Sequence, residues 1–286
     1  MNPESKTGRH LILKRILVPL DESEYSRAAL ETAAKLASAL GAEISGLYVE
    51  DTDLLDFCRF PFAREIGVYR SRRLDPSEIE RDFRIQAERI RKMMSLIAKH
   101  EDIQWDFTVR RGRVISEVLD QTDSADLTVI GRTGRSLLGA SAGSTVRHLI
   151  EEGKSMTLIL GRGARMLAPV FTVYTGSDLS ARALGVAADL ARALGWDTEI
   201  LIPAKNDKDY QALRDQVLSA AEQTPGAEGM QLRFRRIRNG APSALAAVLQ
   251  PEYRTPLVLP VDALDRDPEA ILELINRVHN PILLVR

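Results

Sequence analysis

The chain has 286 residues, which fits two domains of about 140 residues each at ordinary domain size. Hydrophobic residues make up 44% and charged residues 28%, a globular composition able to bury a core in each half. The formal net charge of −1 excludes a global field for nucleic acid or an anionic membrane, and the single cysteine, Cys58, excludes an internal disulfide. No apolar run approaches the ~20 residues that span a bilayer, so no membrane span is expected. The opening MNPESKTGRHLILK lacks the apolar centre of a signal peptide, which makes the reducing cytoplasm the expected compartment.

The first element is a strand-like run, Ile16 to Leu20, in the string ILVPLDES. Pro19 and Asp21 stand at its end. Asp21 has two readings: an acceptor for a ribose or base, or, with Ser23, the cap of the next helix. That helix, SRAALETAAKLASALG from Ser26 to Gly41, is amphipathic and stops at glycine. A second strand-like run covers Ile44 to Val49. From Asp53 to Arg73 lies an insertion rich in Phe and Arg. It starts at the ligand edge of an open sheet, so Phe57, Phe60, Phe62 and Tyr69 read as a lid, as a docking surface, or as an ordinary surface helix. A long helix follows: Asp75 caps it, Pro76 suits its first turn and Glu78 completes a D-x-x-E box. Ile79, Phe83, Ile90, Met94 and Ile97 then share one face and read as core.

The first half closes with ADLTVIGRTGRSLLGASAGSTVRHLI and SMTLIL. A buried strand ends at Ile130, Gly131 and Gly134 follow at once, and Gly143, Ser144 and Thr145 open a helix. Glycines let backbone approach a phosphate chain closely, and the free amides and positive dipole end of a helix start attract it. The alternative is a glycine-rich turn with an ordinary serine cap. Arg132 and Arg135 inside this segment are phosphate contacts or solvated surface, in equal balance. Arg110, Arg111 and Arg113 read as surface.

The second half repeats the first. SARALGVAADLARALG, Ser180 to Gly195, aligns with Ser26 to Gly41 without a gap. Strand-like runs flank it at Val170 to Tyr174 and Glu199 to Ile202. RIRNGAPSALAAVL parallels VRRGRVISEVL, TPLVLP parallels ADLTVI, and NPILLV parallels SMTLIL. This alternation predicts parallel sheets with helices on both faces. The boundary falls in GRGARMLAP, giving domains at 1–162 and 168–286. Where the first half has its glycines, the second has PVDALDRDPEAI: Asp262, Asp265 and Asp267 would repel phosphate, and the segment has no glycine.

A late G-x-x-G, then G-Ser/Thr after a spacer, behind a strand that ends near Pro and Asp, resembles the universal stress proteins. The resemblance covers both halves as fold and roughly Lys14 to Leu160 as motif. The spacer from Arg135 to Ala142 has eight residues where the family has nine. What the resemblance implies is an α/β fold of two tandem, doubly wound, parallel five-stranded sheets in strand order 3-2-1-4-5. The final strands would pair within the chain as a pseudo-dimer. The ligand implied is an adenine nucleotide, ATP or AMP, with or without Mg. Pro19 and Asp21 would border adenosine and Val49 would contact adenine. Ile130, Gly131 and Gly134 would line ribose and phosphates, and Gly143, Ser144, Thr145 and Val146 would hold the phosphate tail. The function implied is a regulatory or stress-response protein rather than an enzyme, with an unidentified protein partner, a further homodimer as an option and no nucleic-acid partner. The alternatives are an interaction module that binds no nucleotide, and a slow ATP hydrolase.

Two motif strings lead elsewhere and fail on context. Gly139-Ala-Ser141-Ala-Gly143 matches a hydrolase elbow but does not directly follow a strand. Gly153-Lys154-Ser155 has strand and helix in the reverse of the P-loop order. The four histidines are scattered, so the sequence indicates no metal site, and His148 reads as a helix residue.

Overall fold

The computed structural model describes residues 13–60, 64–66, 71–73, 75–132, 143–161, 166–222, 232–250 and 254–286. The first half runs β1 (Arg15–Pro19), α1 (Glu24–Leu40), β2 (Glu43–Asp51), α2 (Thr52–Cys58), β3 (Arg64–Ile66), β4 (Ser71–Arg73), α3 (Pro76–Glu101), β5 (Trp105–Gly112), α4 (Val114–Thr122), β6 (Leu127–Gly131), α5 (Ser144–Glu152) and β7 (Met156–Leu160). The second runs β8 (Val170–Val173), α6 (Asp178–Leu194), β9 (Thr198–Pro203), α7 (Asp207–Glu222), β10 (Leu232–Ile237), α8 (Pro242–Leu249), β11 (Leu257–Pro260), a 3₁₀ turn (Val261–Leu264), α9 (Pro268–Arg277) and β12 (Ile282–Val285). The insertion thus supplies α2 and a small antiparallel hairpin, β3–β4.

All strands but that hairpin form one ten-stranded sheet, ordered β10-β9-β8-β11-β12-β7-β6-β1-β2-β5. Within each half the strands are parallel and follow the order 3-2-1-4-5. The halves meet where β12 pairs antiparallel with β7, Leu283 opposite Leu158. Five residues in succession are buried in both β6 and β7, and all four in β8, β11 and β12. Strands covered on both faces lose the alternation that a one-sided sheet shows, and read as continuous apolar runs.

The repeated helices are built alike at both ends. Ser23 and Ser177 cap α1 and α6, each hydroxyl accepting from the amide three residues on, that of Ser26 or Ser180. Gly41 and Gly195 follow at φ 68° in the left-handed region, where a side chain is strained. Asp75 caps α3 by accepting from the Ser77 amide, and Phe83, Ala87, Ile90, Met94 and Ala98 bury one face of that helix.

The expectation of a separate core in each half is corrected. One core lies on one sheet face and joins α1 and α3 to α6, through Leu30, Ala33, Ile90, Ala187 and Leu190. The other lies on the opposite face and joins α4 and α5 to α8 and α9, through Val118, Leu149, Leu245 and Ile275. Both cross the β7–β12 seam, because a continuous sheet leaves no wall between the halves. Residues 162–165 of the linker string lie outside the described residues.

Candidate functional site

In open parallel sheets, ligands sit beyond the carboxyl ends of the strands, where the strand order reverses. Here β1 lies between β2 and β6, and its chain leaves toward one side while that of β6 leaves toward the other. A cleft of about 1010 Å³ opens there. It is lined by Pro19 and Asp21 after β1, Val49 and Asp51 at the end of β2, and Ile130, Gly131 and Arg132 at the end of β6. Gly143, Ser144, Thr145 and Val146 of α5 complete that wall. Of the eleven residues picked from the sequence, ten therefore border one cleft. The eleventh, Gly134, lies outside the described residues, as do Arg135 and Ser141.

Each member reaches the cleft for a local reason. Asp21 is part of the α1 cap: its Oδ1 accepts from the Ser23 amide at 2.9 Å and from the Ser23 hydroxyl at 2.5 Å. Its Oδ2 takes no hydrogen bond among the described residues, so both readings of Asp21 are compatible with one geometry. Gly131 is required by packing, since a Cβ there would stand 2.6 Å from that of Tyr25 in the first turn of α1. Gly143 starts α5 at φ −66° and ψ 162°, a conformation open to any residue, and donates its amide to the Arg132 carbonyl at 2.9 Å. Val146 is buried in the core, so it offers the cleft its backbone.

Among the described residues the start of α5 has no side-chain cap, and the same holds for α4, whose first residues Arg113, Val114, Ile115 and Ser116 line the cleft. Elsewhere in the first half α1, α2 and α3 are capped by Ser23, Asp51 and Asp75. Two helix starts with unengaged first-turn amides thus face one cleft, a setting that favours an anion.

The arginines divide differently from the sequence reading. The guanidinium of Arg132 is buried and donates to the carbonyls of Ile275 and Val278 in the second half, at 3.0 and 3.1 Å. Arg132 borders the cleft through its backbone and has its charge committed elsewhere, so direct phosphate contact by its side chain is set aside. Arg113, read as surface, lines the cleft and pairs with Asp53 of α2 at 3.2 Å. Arg111 pairs with Glu50 and Glu80, which hold its pKa above the ordinary value.

Sequence reasoning missed Tyr48, Asp53, Leu54, Gln86 and His148 as lining residues. The signals were faint: Asp53 and Leu54 begin the insertion, and His148 lies one helical turn beyond Ser144, to whose carbonyl its Nδ1 donates at 2.9 Å. Of the insertion's aromatics, Phe57 and Phe60 are half exposed and do not line the cleft, so α2 borders it through Asp53 and Leu54. Phe62 and Tyr69 lie outside the described residues. His148, Glu151 and Glu152 have ligating atoms within 4.8 Å of one another on α5, a grouping the scattered histidines did not suggest. Glu151 is engaged there by Arg147 at 3.5 Å.

At the matching place in the second half, β11 runs straight into the 3₁₀ turn, whose Val261 and Leu264 are 8% and 5% exposed. Asp267 then caps α9, its Oδ1 accepting from the Glu269 amide at 3.0 Å. Apolar side chains and a carboxylate cap thus stand where the first half has the cleft-lining Gly131 and Arg132 at the end of β6. Thr175, opposite Asp21 in the repeat, donates to Ser177 at 3.2 Å.

Comparisons with known proteins agree with this architecture. No curated protein matches the chain in sequence. A universal stress protein of Archaeoglobus fulgidus DSM 4304 is similar in fold, with TM-score 0.68, 16% identity, and 94% of this chain and 95% of that one covered. A candidate universal stress protein of Pseudomonas aeruginosa UCBPP-PA14 follows at TM-score 0.61 and 13% identity, with 95% and 92% covered. The cytoplasmic domain of a prokaryotic cation chloride cotransporter shares the fold at TM-score 0.54 and 10% identity, with 96% and 95% covered. Coverage of nearly the whole length in each case supports the tandem arrangement. No helix among the described residues is long and apolar enough to cross a membrane. The profile of the universal stress protein family matches residues 13–161, more than half the length, and the chain belongs to that family.

Proposed function

We propose that the protein is a cytoplasmic regulatory member of its family that binds one adenine nucleotide, ATP or AMP, in the cleft of its first half. The observation that carries this reading is the uncapped start of α5, opening on the same cleft as Asp21 and Val49. In this reading the adenosine lies between Pro19, Asp21 and Val49, and the phosphates meet the amides of Ser144, Thr145 and Val146. The helix dipole and the hydroxyls of Ser144 and Thr145 supply attraction there, with Arg113 at the rim. A volume of about 1010 Å³ accommodates a nucleotide, being at the upper end of ordinary ligand sites. The carboxylates that line the cleft are engaged, Asp21 by Ser23, Asp51 by the Asp53 amide and Asp53 by Arg113, so the reading assigns no protein ligand to Mg.

No enzymatic role is proposed. Asp53 is paired with Arg113, Asp21 is held through Oδ1 by Ser23, and the Nδ1 of His148 donates to the Ser144 carbonyl, which leaves Asp21 Oδ2 and His148 Nε2 as the groups that a phosphate-release assay checks. A second reading, an interaction module without a ligand, draws on the exposed Phe57 and Phe60 beside the cleft. Mass spectrometry of small molecules released from the purified, denatured chain separates the two. A copurified adenine nucleotide supports the first, and none after supplementation with ATP supports the second.

A further inference from the structure

We infer that Arg132 is a positioning residue that fixes the phosphate-facing start of α5 by anchoring it to the second half of the chain. The inference rests on the nucleotide reading above and deepens it. Arg132 follows β6 directly. Its amide donates to the Leu160 carbonyl at 2.8 Å, and its carbonyl accepts from the Gly143 amide at 2.9 Å. The backbone of Arg132 is therefore the post to which the first residue before α5 is tied.

The side chain turns away from the cleft and crosses to the other half. Arg132 is 9% exposed, and its guanidinium donates to Ile275 at 3.0 Å and Val278 at 3.1 Å. Those carbonyls close the last turn of α9, the negative end of that helix, where a cation is favoured. A buried guanidinium stripped of such partners is strongly unfavourable, so the attachment is stiff. Between β6 and β12 stands β7, and Gly161 at its end has no side chain. A Cβ there would lie 2.8 Å from the His279 carbonyl, at the same end of α9.

A second tie holds the far end of α5. Arg286, the last residue, donates Nη1 to the Ile150 carbonyl at 2.9 Å and Nη2 to that of Leu149. Arg147 in the middle of α5 pairs with Glu269 in the first turn of α9. The helix that would receive the phosphates is thus gripped at start, middle and end by contacts to the second half, whose own matching place holds Val261, Leu264 and the Asp267 cap. Affinity for the phosphate tail in the first half then depends on packing in the second.

The test uses the intact chain with R132M and R132K. ATP and adenosine are titrated separately by calorimetry, and amide exchange is followed at Gly143 to Thr145. R132M removes both hydrogen bonds to α9 and is expected to weaken ATP about tenfold, an ordinary coupling between a remote anchor and a site, to leave adenosine unchanged, and to speed exchange at those amides. R132K keeps the charge on a shorter side chain that reaches the end of α9 less well, so it falls between, and it carries the same readouts if R132M does not fold. Equal loss of ATP and adenosine, or unchanged ATP affinity in a folded variant, overturns the inference. Unchanged amide exchange overturns the anchoring without reference to any ligand. A wild-type chain that binds neither ATP nor adenosine overturns the nucleotide reading itself.

Discussion

Gly131 and Gly143 occupy the same motif and do different things. The absence of a side chain at Gly131 is demanded by Tyr25, 2.6 Å from where a Cβ would stand. Gly131→Ala is expected to destabilise the fold by ~1–3 kcal/mol, the usual range for overpacking, in a denaturant titration. Gly143 has an ordinary backbone conformation, so Gly143→Val leaves the fold intact. Its branched side chain would stand where a phosphate is proposed, and ATP affinity measured by calorimetry should fall at least tenfold. Unchanged affinity in a folded Gly143→Val chain would remove the phosphates from α5. The sequence marks both glycines but cannot separate their roles, because Tyr25 is remote in the chain and only the fold brings it to β6. The same remoteness hid the partner of Arg132: a buried arginine and a phosphate-binding one look alike until α9 is in place.

At the scale of elements, the helices with caps and stops were the most readable. Ser23 and Ser177, with Gly41 and Gly195, bound α1 and α6 in both copies. Ser23→Ala and Ser177→Ala should each cost ~1 kcal/mol of stability, the usual value of an N-cap. Ser23→Ala should also release Asp21 and change nucleotide affinity, whereas Ser177→Ala should not; thermal unfolding with and without ATP checks the contrast. The hairpin β3–β4 went unread, since two three-residue strands carry no periodicity. The 3₁₀ turn after β11 was also unread as an element. Its lack of glycine nevertheless pointed to a closed site, and Val261 and Leu264 are the side chains found there. The β7–β12 pairing was anticipated from the two final strands, and it makes Leu284 part of the seam between halves. Leu284→Ala should cost ~2–5 kcal/mol, the range for a fully buried leucine, and should broaden or split a unfolding transition that is otherwise single.

At the scale of the whole molecule, the repeat gives two tandem domains of which only the first keeps the glycine segment, and the structure joins them through one sheet and two shared cores. The sequence hides this because apolar residues facing either half look the same. The two copies differ in what their fourth strand leads into: the cleft and the start of α5, uncapped among the described residues, in the first, and apolar side chains with the Asp267 cap of α9 in the second, while α4 and its counterpart α8 both lack a side-chain cap. With Asp53 held by Arg113 and Asp21 by Ser23, bound ATP should persist for many minutes. General-base help, typically worth ~10²–10⁴-fold, is not supplied. A turnover near one per second in a phosphate-release assay would contradict that. The central claim is that the intact chain holds one adenine nucleotide, in its first half. Equilibrium dialysis of the intact chain against labelled ATP, with the Gly143→Val chain in parallel, tests it most directly. One site per wild-type chain and a loss of binding in the variant are predicted; two sites, or full binding in the variant, would contradict the account.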